Sequence, residues 1–218
     1  MPLLREIGIG SDIGNDRDAA FRLQTRYILA LIQRLLVPSR HSTARKILIK
    51  CRSHGLCQPH KVIGGVLDID VVADARLFFD LSPDKKNEFV VDILCRGLEF
   101  ARAIHNIDVS PFIDAIKKAG ALGYVNKFIS PKHAKLSPNR RLQAELQCMH
   151  DSYKFSATLV VSDRKKTELS RITAFETRPS EWSFVPKLET LKWLDNDRLI
   201  VDGKVFLLHN KSVEQIQP

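Results

Sequence analysis

The chain of 218 residues is 44% hydrophobic and 27% charged, which supports a buried core and excludes a low-complexity or disordered chain. Its formal charge is +9, from 34 Lys and Arg against 25 Asp and Glu, a field that favours acidic partners, whether nucleic acid or the acidic face of a protein. Four cysteines in a chain of this length do not make a disulfide scaffold, and the most apolar run, residues 27–37, is interrupted by Gln33 and Arg34 and too short to span a bilayer. The first residues lack a basic start followed by a long apolar core, so the expectation is a cytoplasmic protein with no membrane contact. The charge is uneven: +7 over residues 1–61, −4 over 62–108, +5 over 109–149 and +1 over 150–218.

Residues 1–14 read as an irregular arm punctuated by Gly8, Gly10 and Gly14. Asn15 or Asp16 opens a long helix that ends before Pro38, with Phe21, Tyr27, Ile28, Leu31, Ile32 and Leu35 on one broad face. Arg22 and Arg26, four apart, share the opposite face. Residues 45–51 read as a strand, 53–60 as a loop and 62–72 as the next strand, with 76–79 continuing the same sheet. Ser82-Pro83-Asp84 starts a helix that runs to about His105. Ser82 can cap free amides, Pro83 has the φ of a first turn, and Asp84 suits the positive helix end. The predicted buried face is Val90, Ile93, Leu94, Leu98, Ala101 and Ile104. Gly97 costs this helix about 1 kcal/mol against alanine unless something packs close. Ser110-Pro111 starts a shorter helix stopped by Gly120.

From Gly123 onward the period is two. Leu142, Ala144, Leu146 and Cys148 alternate with polar neighbours, and Tyr153, Phe155, Ala157, Leu159 and Val161 do so again, as in strands with one wet face. Residues 163–166 form a turn into a strand over 169–177. Residues 189–208 read as a meander turning at Asn196-Asp197 and Asp202-Gly203, the latter a strong hairpin signal. Residues 211–218 read as a polar tail. The fold class is α+β, with helices mainly in the first half and an antiparallel β-sheet or meander in the second, as one domain over residues 15–210.

No arrangement of nucleophile and base is evident, no P-loop occurs, and Gly8-Ile9-Gly10 lacks the third glycine and the preceding strand of a dinucleotide motif. No catalytic residue and no cofactor is therefore assigned, and a non-enzyme is the expectation. Cys51, His54, Cys57 and His60 place soft ligands at every third position, but standard zinc sites pair two ligands, leave a long gap and pair two more, so a plain loop without metal is expected. Asp68 and Asp70 share one strand face. They could hold magnesium for phosphoryl transfer, but the simpler reading is the wet face of a strand. The basic run Lys117, Lys118, Lys127, Lys132, Lys135, Arg140 and Arg141 encloses Tyr124 and Phe128, and aromatics beside cations suit stacked bases. Trp182, after Arg178-Pro179-Ser180, reads as an exposed interface anchor, and Trp193 as packed in the meander.

Val66-Leu67-Asp68-Ile69-Asp70, the run from Phe79 to Lys86, the helix after it and Leu191-Lys192-Trp193-Leu194-Asp195 carry a resemblance. Over residues 46–208 this order of parts resembles small cytoplasmic immunity proteins of bacterial toxin systems. The resemblance implies a protein without catalytic residues that neutralises a partner, such as a toxin, by binding it. Joined to the charge, the expectation is an immunity or inhibitor protein meeting an acidic partner through Arg22, Arg26, Lys117, Lys127, Lys132, Arg140 and Trp182. The alternative is a nucleic-acid-binding protein using the first helix and residues 117–141.

Overall fold

The structure, a computed structural model, describes residues 3–40, 44–54, 61–130, 134–209 and 212–216. The fold is α+β, and the chain forms two compact units, Met1–Val125 and Asn126–Pro218. Each is described by itself.

The first unit opens with a short strand β1 (Leu3–Leu4), then β2 (Glu6–Ser11), α1 (Asn15–Leu35), β3 (Ser39–Arg40) and β4 (Lys46–Arg52). β5 (Val62–Ile63), β6 (Val66–Val72), a single 3₁₀ turn over Leu77–Asp80, α2 (Pro83–His105) and α3 (Ser110–Ala121) complete it. β2, β4 and β6 pair in parallel in that order, and β5 closes the edge beside β6 in antiparallel sense. Parallel neighbours need a crossover, and α1 supplies it between β2 and β4. Ile7, Ile9, Ile47, Ile49, Ile69 and Val71 are buried together on one sheet face. α1 and α2 cover that face, and α3 packs outside them. Phe21 of α1 meets Phe78 edge-on at 5.0 Å, the Tyr27 hydroxyl of α1 donates to Asn87 of α2, and α3 packs on α1.

Gly97 of α2 sits where that helix crosses β4. A Cβ there would lie 2.5 Å from Ile49 Cδ1, so the glycine is a condition of close approach and not a lapse in helix propensity. The opposite sheet face is charged: Lys50 pairs with Asp68 at 2.6 Å and Arg52 with Asp70 at 3.0 Å across the β4–β6 register.

Several expectations change. The arm over residues 1–14 contains β1, which pairs with β3, and β2, whose pairing with β4 was hidden by glycines that leave no apolar alternation. The single strand expected over 62–72 is a hairpin, because Gly64 and Gly65 both take positive φ, +59° and +82°, as a tight turn requires. Residues 76–79, expected to continue the sheet, instead open a 3₁₀ turn over Leu77–Asp80. Ile104 is 59% exposed; Arg102 and Ala103 beside it are exposed too, so the last turn of α2 projects past the packed face. Ser82 is the N-cap of α2, but its hydroxyl makes no cap bond; its carbonyl accepts from Lys86 N at 2.9 Å.

The second unit is built of antiparallel strands. β7 (Asn126–Ile129), β8 (Lys135–Leu136), β9 (Leu142–His150), β10 (Phe155–Asp163) and β11 (Glu168–Thr177) form one sheet in the order β11-β10-β9-β7, with β8 also on β9. After α4 (Glu181–Leu188) come β12 (Lys192–Trp193), β13 (Arg198–Val201), β14 (Lys204–His209) and β15 (Ser212–Ile216), a second sheet in chain order. Alternation aims Leu146, Phe155, Leu159 and Val161 inward to meet Phe206 and Leu199 of the second sheet and Phe184 of α4. Asp202 and Gly203 take the paired positive φ of the expected hairpin turn. The stretch read as a polar tail contains β15, and α4 was not foreseen: it has eight residues with Pro186 inside, too little for a periodic signal. No helix among the described residues is long and apolar enough to cross a membrane.

Candidate functional site

The seven residues expected to meet a partner fall in both units. Arg22 and Arg26 lie on α1 and Lys117 on α3, while Lys127 lies on β7, Arg140 in the turn before β9 and Trp182 in the first turn of α4. Lys132 lies outside the described residues. Arg22 is already engaged with Asp18 at 2.9 Å. Trp182 is 93% exposed, as expected of an interface anchor, and Trp193 packs half-buried, donating its indole N–H to Lys135 O at 2.9 Å. Tyr124 and Phe128, expected to stack bases, instead pack half-buried against the cores of their own units.

What draws some of these cations together is the outer face of the β7–β11 sheet. With inward positions apolar, the outward positions of β9 are Gln143, Glu145, Gln147 and Met149, and those of β10 are Ser156, Thr158, Val160 and Ser162. Over them lie three adjoining cavities. The largest, about 490 Å³, sits at the Met149 end between Lys127 and Arg171. One of about 290 Å³ follows over Glu145 and Ser162, and one of about 280 Å³ ends among Arg140, Arg164 and Lys166. Ile129 and Gln147 border the first and second, and Gln143 and Lys166 the second and third, so the three make one trough along β9. From Gln143 to Met149 it runs about 20 Å at the rise of an antiparallel strand.

The ends of the trough are fixed by local bonding. Asp163 accepts the backbone N–H of Lys165 at 2.8 Å and of Thr167 at 2.9 Å, folding the β10–β11 turn that carries Arg164 and Lys166. Arg164 Nε donates to the Arg140 carbonyl at 2.7 Å and joins that turn to the one before β9. Along its β11 side, level with Gln143 to Glu145, the Arg171 fork donates to Glu168 at 2.9 and 2.7 Å, which holds the Glu168 carboxyl below its usual range and the guanidinium above its own. Between the ends, Gln147 Nε2 donates to Glu145 at 3.2 Å. Amides, hydroxyls and cations of this kind equip a surface to bind. The alternation of Gln, Ser and Thr was legible as a wet strand face. That Arg164, Lys166 and Arg171 join Lys127 and Arg140 around it depends on strand pairing and was missed.

A second place where ligands gather in open α/β sheets is outside the carboxyl ends of the parallel strands. There Gly8-Ile9-Gly10 lies inside β2 and not after it, and Gly14 with φ +97° closes the turn into α1. Its carboxylates are engaged, however. Asp18 accepts from Ser11 N at 2.7 Å and Oγ at 3.0 Å; Asp12 accepts from Ser53 N at 3.2 Å; Asp74 takes the Arg76 side chain at 2.9 Å, which with the Arg76 backbone N–H holds its carboxyl low. They clasp loops to strand ends. Of the pair expected on a wet face, Asp68 is half-exposed but Asp70 is buried beneath Arg52.

Among the described residues no group of three His, Cys, Asp or Glu is placed to hold a metal ion, and Cys57 and His60 lie outside them. Cys51 is fully buried, and burial, with Asp12 and Asp18 adding to it against Arg96, pushes its thiol up to about 12. Only about one molecule in ten thousand carries its thiolate at pH 8. Native protein treated with iodoacetamide at pH 8 and mapped by mass spectrometry should show Cys51 unlabelled until denaturant is added. Labelling at the pace of a free thiol would contradict that burial.

No protein-family model, no curated protein and no solved structure matches the chain.

Proposed function

We propose that this is a non-catalytic binding protein of the immunity or inhibitor type, which engages an acidic partner protein through the trough on the β7–β11 sheet. The observation that carries the reading is the trough itself, a continuous polar channel with Lys127 at one end, Arg140, Arg164 and Lys166 at the other and the Arg171–Glu168 pair along its side. Cations arranged in this way steer an acidic surface and fix its register, while an exposed aromatic such as Trp182 supplies apolar contact area. The finer form of the proposal, neutralisation of a toxin in the cytoplasm, draws on the resemblance in the order of parts.

Tagged wild-type protein and an Arg140→Glu/Lys166→Glu variant, purified side by side from the source cell, test the reading. Both residues are exposed, so the variant keeps the core intact. An acidic protein is expected to co-purify with the wild type after nuclease treatment and to fall about tenfold with the variant. Equal recovery on both baits would reject the trough as the interface. Recovery of nuclease-sensitive nucleic acid instead of a protein, with steep salt dependence, would replace the proposal by the nucleic-acid alternative.

A further inference from the structure

We infer that the Leu142 end of the trough is a pocket for a phosphate monoester, carried by a phosphorylated side chain of the partner protein. The inference rests on the binding reading above and deepens it. The pocket lies where the turn before β9, residues 137–141, meets the β10–β11 turn, residues 163–167, because Leu142 pairs with Asp163. Arg140, Arg164 and Lys166 line its cavity of about 280 Å³ together with Leu136 and Leu142. Arg164 Nε donates to the Arg140 carbonyl at 2.7 Å, which leaves both Nη atoms free; among the described residues no ion pair engages Arg140 or Lys166. With Arg141 and Lys165 the two turns hold five cations against one carboxylate, Asp163, which accepts the backbone N–H groups of Lys165 and Thr167. The turn bearing Asp195 and Asp197 adjoins through Asn139 N, which donates to Asn196 Oδ1 at 3.0 Å. Asp195 is paired with Arg198 at 2.6 Å, and neither carboxylate lines the cavity. Lys166 also borders the middle cavity, where Arg171 takes Glu168 and Gln147 takes Glu145.

Backbone conformation gives the second support. Arg140 has φ +56° and Lys166 φ +63°, in the left-handed region that glycine and asparagine enter at least cost. Both positions instead hold long cations that line the same cavity, and strain of this kind persists at sites where the side chain is needed. The supply of donors selects the ligand. A carboxylate has two oxygens and one charge, which a single guanidinium fork satisfies. A phosphodiester likewise offers two free oxygens and one charge. A monoester offers three oxygens and about 1.5 to 2 negative charges, a match for two guanidinium groups and an ammonium. Leu136 and Leu142 give the carbon chain that bears it an apolar wall. Gln143 and Lys166 line both this cavity and the next, so the pocket opens onto the sheet face that the proposed function gives to the partner.

Fluorescence polarisation decides it with labelled probes: a phosphoserine peptide with glycine and alanine flanks, its serine parent, its aspartate counterpart, and oligothymidylate with and without a terminal phosphate. The phosphopeptide is expected to bind wild-type protein about tenfold more tightly than each of the others, and inorganic phosphate should displace it. Arg140→Gly and Lys166→Gly separate binding from folding. Glycine suits the left-handed backbone, so each variant should melt close to wild type while holding the phosphopeptide about tenfold more weakly. A serine or aspartate peptide bound as tightly as the phosphopeptide, or unchanged affinity in the glycine variants, overturns the inference. An equal loss in Lys85→Ala, an exposed cation of the first unit, would reduce the effect to bulk charge and overturn it too. Tighter binding of the strand with a terminal phosphate than of the phosphopeptide overturns the assignment to a protein side chain. If phosphatase treatment of the lysate leaves the co-purified partner in place while Arg140→Glu/Lys166→Glu still releases it, the proposed function stands and only its phosphoryl form is lost. Recovery that depends on neither removes the two together.

Discussion

Phe155→Ala is expected to destabilise the Asn126–Pro218 unit by roughly 3–5 kcal/mol, the range for deleting a fully packed aromatic ring. Phe155 has no exposed surface, and its ring lies face-on to Phe184 at 3.8 Å between centroids. Phe175 stacks at 6.2 Å, and His150 and Phe128 approach at 5.9 and 6.3 Å. The ring therefore ties strands β7, β9, β10 and β11 to α4, and alanine leaves a void bordered by side chains that are themselves locked in place. Both tryptophans, Trp182 and Trp193, belong to this unit, so tryptophan fluorescence during urea unfolding reports on it selectively. Phe155→Leu, which refills much of the space, should cost clearly less. A loss below about 1 kcal/mol for the alanine variant would mean that the site collapses and that the stack is not the keystone its geometry indicates.

The second large effect is Gly97→Ala, with an outcome opposite to that of an ordinary helix. Alanine in an exposed helix interior is about 1 kcal/mol better than glycine. Here the new methyl would meet Ile49 Cδ1, Cγ1 and Cγ2 at 2.5, 2.7 and 2.9 Å, and Ile49 is itself fully buried. Overpacking of this kind typically costs 1–3 kcal/mol, so after the propensity gain the expected net result is a destabilisation of up to about 2 kcal/mol. Among the described residues three of the four α-helices belong to the first unit, so the helical circular dichroism band follows its unfolding. Ile49→Val removes the closest atom, and the double variant should lose less than the two single variants added together. A gain in stability from Gly97→Ala would show that α2 can lift away from β4 at little cost.

How far the sequence discloses this architecture differs from element to element, for physical reasons. α1 and α2 are legible because an apolar stripe of period 3.6 persists over many turns, and β9 and β10 because nine-residue strands with one wet face alternate cleanly. β2 is not legible, since Gly8 and Gly10 present no side chains on its second face and the alternation disappears. The β5–β6 turn is written in Gly64-Gly65, yet the continuous apolar run around it reads as one strand. α4 is too short and carries a proline. For the trough, residue types could be read but not their assembly. Lys127, Gln147 and Arg171 become neighbours only through the pairing of β7, β9, β10 and β11. The carboxylates at the ends of the parallel strands stand where open α/β sheets gather ligands, yet Asp12, Asp18 and Asp74 are occupied in holding the loops.

The two ion pairs across β4 and β6 carry a further consequence for how the first unit assembles. Isoleucine-rich parallel strands are nearly interchangeable along their length, and apolar contacts alone give little reason to prefer one alignment over its neighbours. A slip of one residue would drive Lys50 and Arg52 among the isoleucines. A slip of two is milder: in the observed register Lys50 faces Asp70 and Leu48 faces Asp68, so either shift still sets a cation, Lys50 or Lys46, against Asp68. The charged face thus decides which side of the two strands the helices can cover.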